Sequence, residues 1–214
     1  MAEDSKDSAG STDKLHRAYH AKSSQETAQV YDDWADEYEQ HMKNVGYTHP
    51  AMVAAMASRH VAPTDERVLD AGAGTGVLGE ILRALGYSNL YGLDASEGML
   101  EIAGLKDNYR ELSRQFLGQP LNYDDDSFVL VTSSGVFTQG HAPLDGLDEL
   151  IRVTRPGGHL VFSVARTYLG GPFEQKREQL QGAGLWRFVD ASERYNSAPL
   201  EDKLISRVFV FQVV

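Results

Sequence analysis

The chain contains no cysteine among its 214 residues. Disulfides, thiolate zinc sites and cysteine nucleophiles are thereby excluded. Long apolar runs are also lacking, and nothing approaches the length needed to span a bilayer, so no membrane partner is expected. The opening stretch MAEDSKDSAGSTDK has no apolar core for a signal peptide and carries acids unlike a transit peptide, which leads to the expectation of a cytoplasmic protein. Basic residues are few: 20 Lys and Arg stand against 31 Asp and Glu, a net charge of −11. Such a surface repels nucleic-acid phosphates and anionic lipid, so nucleic acid is disfavoured as a partner. The seven histidines show no metal-ligand spacing with acids, so no metal is expected, and Asp124-Asp125-Asp126 reads as a solvated turn.

What is present is one domain's worth of patterned chain. Residues 1–24 are polar and read as a disordered tail, leaving 25–214 as a single domain whose first part, 25–62, forms a helical lid. Tyr31, Trp34, Ala35, Tyr38 and Met42 recur at helical spacing with acids on the opposite face, and a second helix is expected over Pro50–His60. From Arg67 strands and helices alternate. Strands are expected at Arg67–Ala71, Asn89–Leu93, Arg114–Leu117, Phe128–Ser133 and His159–Ala165. Helices are expected at Gly76–Leu85, Ser96–Leu105, Pro143–Val153 and Phe173–Gln181. Strands joined by helical crossovers imply a parallel sheet with helices on both faces. The last two strands, Leu185–Val189 and Val208–Val214, have only polar loop between them and should be antiparallel. Val208-Phe209-Val210-Phe211 is apolar on both faces, which suits an interior strand.

The loop in VLDAGAGTGVLGE (Val68–Glu80) carries two glycine patterns. Gly74-x-Gly76-x-x-Gly79 has the spacing of a dinucleotide site, which would make an NAD-dependent oxidoreductase. Asp70-x-Gly72-x-Gly74-x-Gly76 instead places a carboxylate at the strand end, where it repels pyrophosphate and suits a positively charged ligand. The glycines let the backbone turn tightly and approach that ligand. Asp94 ends the second strand 18 residues after Gly76, where an acid accepts ribose hydroxyls in either kind of cofactor. Ser96 is the better helix cap at that place.

With these residues in order, the sequence resembles the class I S-adenosylmethionine-dependent methyltransferases. VLDAGAGTG resembles their first motif and LYGLDASEGMLEIA their second. QPLNYDDDSFVLV is similar to the segment between strands three and four, and RVTRPGGHLVFSV to the helix, turn and fifth strand. The resemblance covers Val30 to Val214 and implies a Rossmann-like, seven-stranded, mostly parallel α/β sheet with an antiparallel last strand, and S-adenosylmethionine as cofactor. It implies that Gly72, Gly74 and Gly76, with Ala71, line the methionine and ribose parts of the cofactor, and that Asp70 lies near its amino group. Asp94 would bind the ribose hydroxyls, Ala95 and Met99 would flank the adenine, and Ser133 and Ser134 would face the reacting region. The family usually has an acid after strand three for the adenine amine. Here Leu117-Gly118-Gln119 stands there, so Gly118 backbone or the Gln119 amide must substitute.

The acceptor is less legible. Trp34 and Tyr38 on the lid are candidates to close over the cofactor, Tyr38 also for a catalytic role. His141, after strand four, is a candidate base near neutral pH. Tyr47, His49, Tyr168 and the Gly170-Gly171 turn are weaker candidates. Ser133-Ser134-Gly135-Val136 occupies the place where the family's nucleic-acid amino methylases carry Asn/Asp-Pro-Pro-Tyr. With the acidic charge, this favours a small-molecule or protein methyl acceptor; a monomer is expected. A cofactor-binding module without catalysis is the remaining alternative.

Overall fold

The computed structural model describes Lys14, residues 16–18, 20–201 and 204–214. Along the central strands, neighbouring residues enter two different cores. In β1 (Val68–Ala71) Val68 joins one core and Leu69 the other. The same alternation holds for Leu130 and Val131 in β4 (Phe128–Phe137), and for Leu160 and Val161 in β5 (Thr154–Ala165). It holds again for Val208 and Phe209 in β8 (Ile205–Val213). A period of two with apolar residues on both sides buries a strand on both faces. The helices α3 (His49–His60) and α4 (Val77–Ala84) cover one face, and α6 (Gly146–Val153) and α7 (Pro172–Gly182) the other.

The remaining strands are β2 (Leu90–Asp94), β3 (Glu111–Arg114), β6 (Trp186–Ala191) and the two-residue β7 (Tyr195–Asn196). The sheet order is β3-β2-β1-β4-β5-β8-β6, with β7 paired to β8. β1 to β5 pair in parallel, and β8 runs antiparallel to β5, β6 and β7. This is the expected Rossmann-like sheet, with β7 added in the segment expected as loop. The chain steps from β1 outward to β2 and β3, then returns to β4 on the other side of β1. That reversal opens a crevice beyond the C-terminal ends of β1 and β4, the place where open α/β sheets bind ligands.

Three expectations change. In the expected lid, 25–62, the first helix is split into α1 (Ser24–Asp32) and α2 (Ala35–Val45), and the second, α3, packs on the sheet. The break falls where the Asp32 carboxylate leaves the helix to accept hydrogen bonds from Ser96 and Gly98 at the start of α5 (Glu97–Gly104). The third strand lies at Glu111–Arg114, not Arg114–Leu117. After Gln115, whose N–H bonds to Asp94 O at 3.0 Å, the chain turns inward and buries Leu117. The polar tail 1–24 lies largely outside the described residues, but Lys14, residues 16–18 and His20 are helical, Ala18 is buried, and α1 already begins at Ser24. No helix among the described residues is long and apolar enough to cross a membrane.

Candidate active site

The glycine loop leaves β1 with Gly72, Gly74 and Gly76 all at positive φ, +84°, +54° and +86°. A side chain is excluded at Gly72, where a Cβ would lie 2.2 Å from Val136 Cγ2. At Gly74 nothing lies within 4 Å of that position, so the loop presents bare backbone to the crevice. The Gly74 N–H donates to Asp94 Oδ2 at 2.8 Å and the Ser96 N–H to Asp94 Oδ1 at 2.9 Å. Burial raises the Asp94 carboxyl above its ordinary range, opposed by these amides and that of Ala95. Ser96 caps α5 by accepting from Met99 N at 3.1 Å.

These residues border a cavity of about 560 Å³. Of the residues expected at the site, Gly72, Gly74, Asp94, Ala95, Met99, Ser134, Tyr38 and His141 line it. Others do not. Asp70 is fully buried beneath the loop, on the side of β1 that Val68 shares, where Tyr109 donates to its Oδ2 at 2.7 Å. Its Oδ1 has no partner among the described residues. Burial, with Asp94 nearby, pushes the Asp70 carboxyl up to about 7 against the Tyr109 and Thr132 hydroxyls. Ala71 and Ser133 are joined inside the sheet, Ser133 Oγ donating to Ala71 O at 2.7 Å. Gly76 forms the start of α4 against Ala103 and Tyr109. Gly118 and Gln119 face solvent, and Leu117 lines the cavity in their place. Trp34 is fully buried among Tyr31, Tyr38 and His41, with ring centroids 5.1 to 5.8 Å away, behind the cavity wall.

The lid is fastened at several points. Tyr31 Oη lies 2.6 Å from His141 Nε2, and Thr27 Oγ1 donates to Gly140 O at 2.8 Å. His141 Nδ1 is 3.2 Å from Gln139 O, which can only accept, so Nδ1 carries the proton and Nε2 accepts from Tyr31. Lys106 bridges Glu39 of α2, at 2.6 Å, and Glu80 of α4. Sequence reasoning missed Tyr109 altogether, since it sits alone in a polar segment. It also ranked Tyr47 and His49 low, yet both line the cavity with Ser197 and Ser206, on the side of β7 and β8, beyond β4 and β5 from the glycine loop. Gly79, the third glycine of the dinucleotide pattern, faces Tyr109: a Cβ there would lie 2.3 Å from its hydroxyl. Among the described residues no group of three or more His, Asp or Glu could hold a metal ion.

Residues 69–162 match the family model of a methyltransferase domain. The chain is 34% identical to human methyltransferase-like protein 27 over 164 residues, 73% of this chain and 66% of that one. It is 31% identical to a demethylmenaquinone methyltransferase of Renibacterium salmoninarum, over 74% of this chain and 67% of that one. The chain belongs to the class I S-adenosylmethionine-dependent methyltransferases. Among solved structures, a TehB-like S-adenosylmethionine-dependent methyltransferase from Corynebacterium glutamicum superposes with a TM-score of 0.60 at 20% identity, covering 84% of this chain and 98% of that one. YDDWADEYEQHM, LGQPL and the GLW ending at Trp186 carry a narrower likeness, to the methyltransferase-like protein of the Williams–Beuren syndrome region, which agrees with the human relative. This methyltransferase chain spans about two thirds of the length of the two curated relatives.

Proposed function

We propose that this domain binds S-adenosylmethionine beyond the ends of β1 and β2 and transfers its methyl group to a small molecule in the same cavity. The observation that carries the proposal is one cavity with Gly74 and Asp94 at one end and Tyr47, His49 and Ser206 at the other, walled by α1 and α2. The short amide bonds from Gly74 and Ser96 go to different Asp94 oxygens and leave the carboxylate lone pairs for ribose hydroxyls. Met99, Ala95 and Leu117 supply an apolar wall for a flat base in place of the missing acid after β3. Ser134 Oγ, buried without a partner among the described residues, offers a polar atom near the end of β4.

Bound there, S-adenosylmethionine supplies a methyl group already activated on a sulfonium. The protein's share is to position the acceptor in line with it and exclude water, effects worth roughly 7–11 kcal/mol. The Tyr31–His141 and Thr27–Gly140 contacts serve that exclusion by closing the lid. Both His141 nitrogens are engaged, so His141 acts as a latch rather than as the base considered from sequence. The volume enclosed under two helices is of small-molecule size. The test is calorimetric titration: S-adenosylhomocysteine should bind saturably and NADH should give no heat. Binding of NADH but not S-adenosylhomocysteine would replace this reading with the oxidoreductase one.

A further inference from the structure

A second tyrosine–histidine pair stands at the far end of the cavity, and its hydrogen bonding differs from the first. His49 opens α3, is 6% exposed and lines the cavity. Its Nδ1 lies 2.6 Å from Tyr195 Oη in β7, whereas its Nε2 has only a long contact, 3.4 Å, to Ser206 Oγ in β8. The ring lies beside the end of β4 at Gly135, whose lack of a side chain makes room for the neighbouring Tyr47 hydroxyl. A Cβ there would be 2.2 Å from Tyr47 Oη and 3.7 Å from His49 Cδ2, the carbon next to Nε2. The Nε2 edge therefore borders the backbone just beyond Ser134. Burial holds His49 neutral at physiological pH, its pKa lowered to about 4.

The surroundings limit what can bind there. Ser163, Ser197, Ser206 and Tyr47 bring hydroxyls, and Ala198 and Ile205 apolar surface. Of the charged residues at this end, Arg166 is exposed to solvent, and Glu201 lies 3.8 Å from His41. A buried carboxylate or ammonium on the acceptor would lack an enclosed counter-charge, which is costly.

Resting on the methyltransferase reading above, we propose that His49 Nε2 receives the proton of an acidic hydroxyl, and that the acceptors are phenols or enols with an uncharged, apolar body. Tyr195 is the positioning residue: in the proposed tautomer Nδ1 donates to Tyr195 Oη, so that Nε2 presents its lone pair to the cavity. In the step, the acceptor O–H bond breaks and its proton goes to Nε2. The oxygen forms the new O–C bond with the methyl carbon as the S–C bond breaks, its electron pair remaining on sulfur as a neutral thioether. Because this imidazole is weakly basic, proton transfer runs only together with O–C bond formation, which demands an acidic hydroxyl: a phenol, with a pKa of about 10, qualifies and an aliphatic alcohol does not.

The experiment uses the full chain with S-adenosylmethionine and three probes of one shape: 2-naphthol, 2-naphthoate and 2-(aminomethyl)naphthalene. The expected result is methyl transfer to 2-naphthol, at least tenfold faster than to the other two. His49→Gln should lower kcat by about 100-fold or more while the S-adenosylhomocysteine Kd stays within threefold, a general base being worth 10²–10⁴. Tyr195→Phe should lower kcat about tenfold at unchanged KM, and it decides the matter if His49→Gln does not fold. No transfer to 2-naphthol, a preference for either charged probe, or kcat unchanged in the variants would overturn the proposal. Failure of wild type to bind S-adenosylhomocysteine would instead remove the reading on which it rests.

Discussion

The Tyr109 hydroxyl donates to Asp70 Oδ2 at 2.7 Å beneath the glycine loop, and the other Asp70 oxygen is buried without a partner among the described residues. The Tyr109 and Thr132 hydroxyls do not offset the loss of water around a carboxylate that also has Asp94 nearby, so the Asp70 pKa rises from 3.8 to about 7. In the folded protein Asp70 keeps its proton between about pH 4 and 7, where the unfolded chain has released it. Its contribution to stability is therefore present at low pH and is lost as pH rises through that window, by about 1.4 kcal/mol for each pH unit crossed. Asp70→Asn removes this titration. Chemical denaturation at pH 4.5 and 7.5 should show the variant gaining on wild type by a few kcal/mol at the higher pH. A pH-independent difference contradicts the burial argument.

Gly79 and Tyr109 make a second prediction. A Cβ on Gly79 would meet the Tyr109 hydroxyl at 2.3 Å and Cζ at 2.4 Å, atoms of a ring held by Asp70. Gly79→Ala should cost about 1–3 kcal/mol from overpacking and lower the melting temperature by several degrees. An unchanged melting temperature would mean that Tyr109 yields freely.

Asp94 organises the loop as well as facing the cavity. Asp94→Ala removes the acceptor for the Gly74 and Ser96 amides and the carboxylate assigned to the ribose. One charge-assisted bond is worth about 1.5–3 kcal/mol, so the S-adenosylhomocysteine Kd should rise by at least tenfold. Calorimetry checks it, and affinity within twofold of wild type would move the ribose elsewhere.

Tyr31 is the lid's contact with His141. Tyr31→Phe deletes a hydrogen bond worth about 1 kcal/mol and should speed amide exchange across Ser24–Val45 roughly fivefold. Exchange unchanged over this segment would show that Thr27, Asp32 and Lys106 hold the lid without it.

The sheet was legible because its strands are short apolar runs with period two, and Val208–Phe211 announced an interior strand. The C-terminal antiparallel pair followed from the lack of a crossover helix. β3 was misplaced because an edge strand, Glu111-Leu112-Ser113-Arg114, carries little apolar alternation and its place is fixed by pairing with β2. At the site, local pattern singled out Gly72, Gly74 and Asp94, and the family resemblance Met99; all four line the cavity. Asp70, expected near the ligand's amino group, is instead buried against Tyr109 outside the cavity lining, because proximity in sequence to a glycine loop does not give strand parity. The distant end of the cavity was hidden for a different reason. His49, Tyr195 and Ser206 meet only through long-range packing of α3, β7 and β8, which no spacing records.

A structure of the protein with S-adenosylhomocysteine tests the central claim most directly. The account predicts both ribose hydroxyls within hydrogen-bonding distance of the Asp94 carboxylate, the base against Met99 and Leu117, and the sulfur opening toward Tyr47 and His49. A ligand bound outside this cavity, or with its ribose away from Asp94, would contradict it.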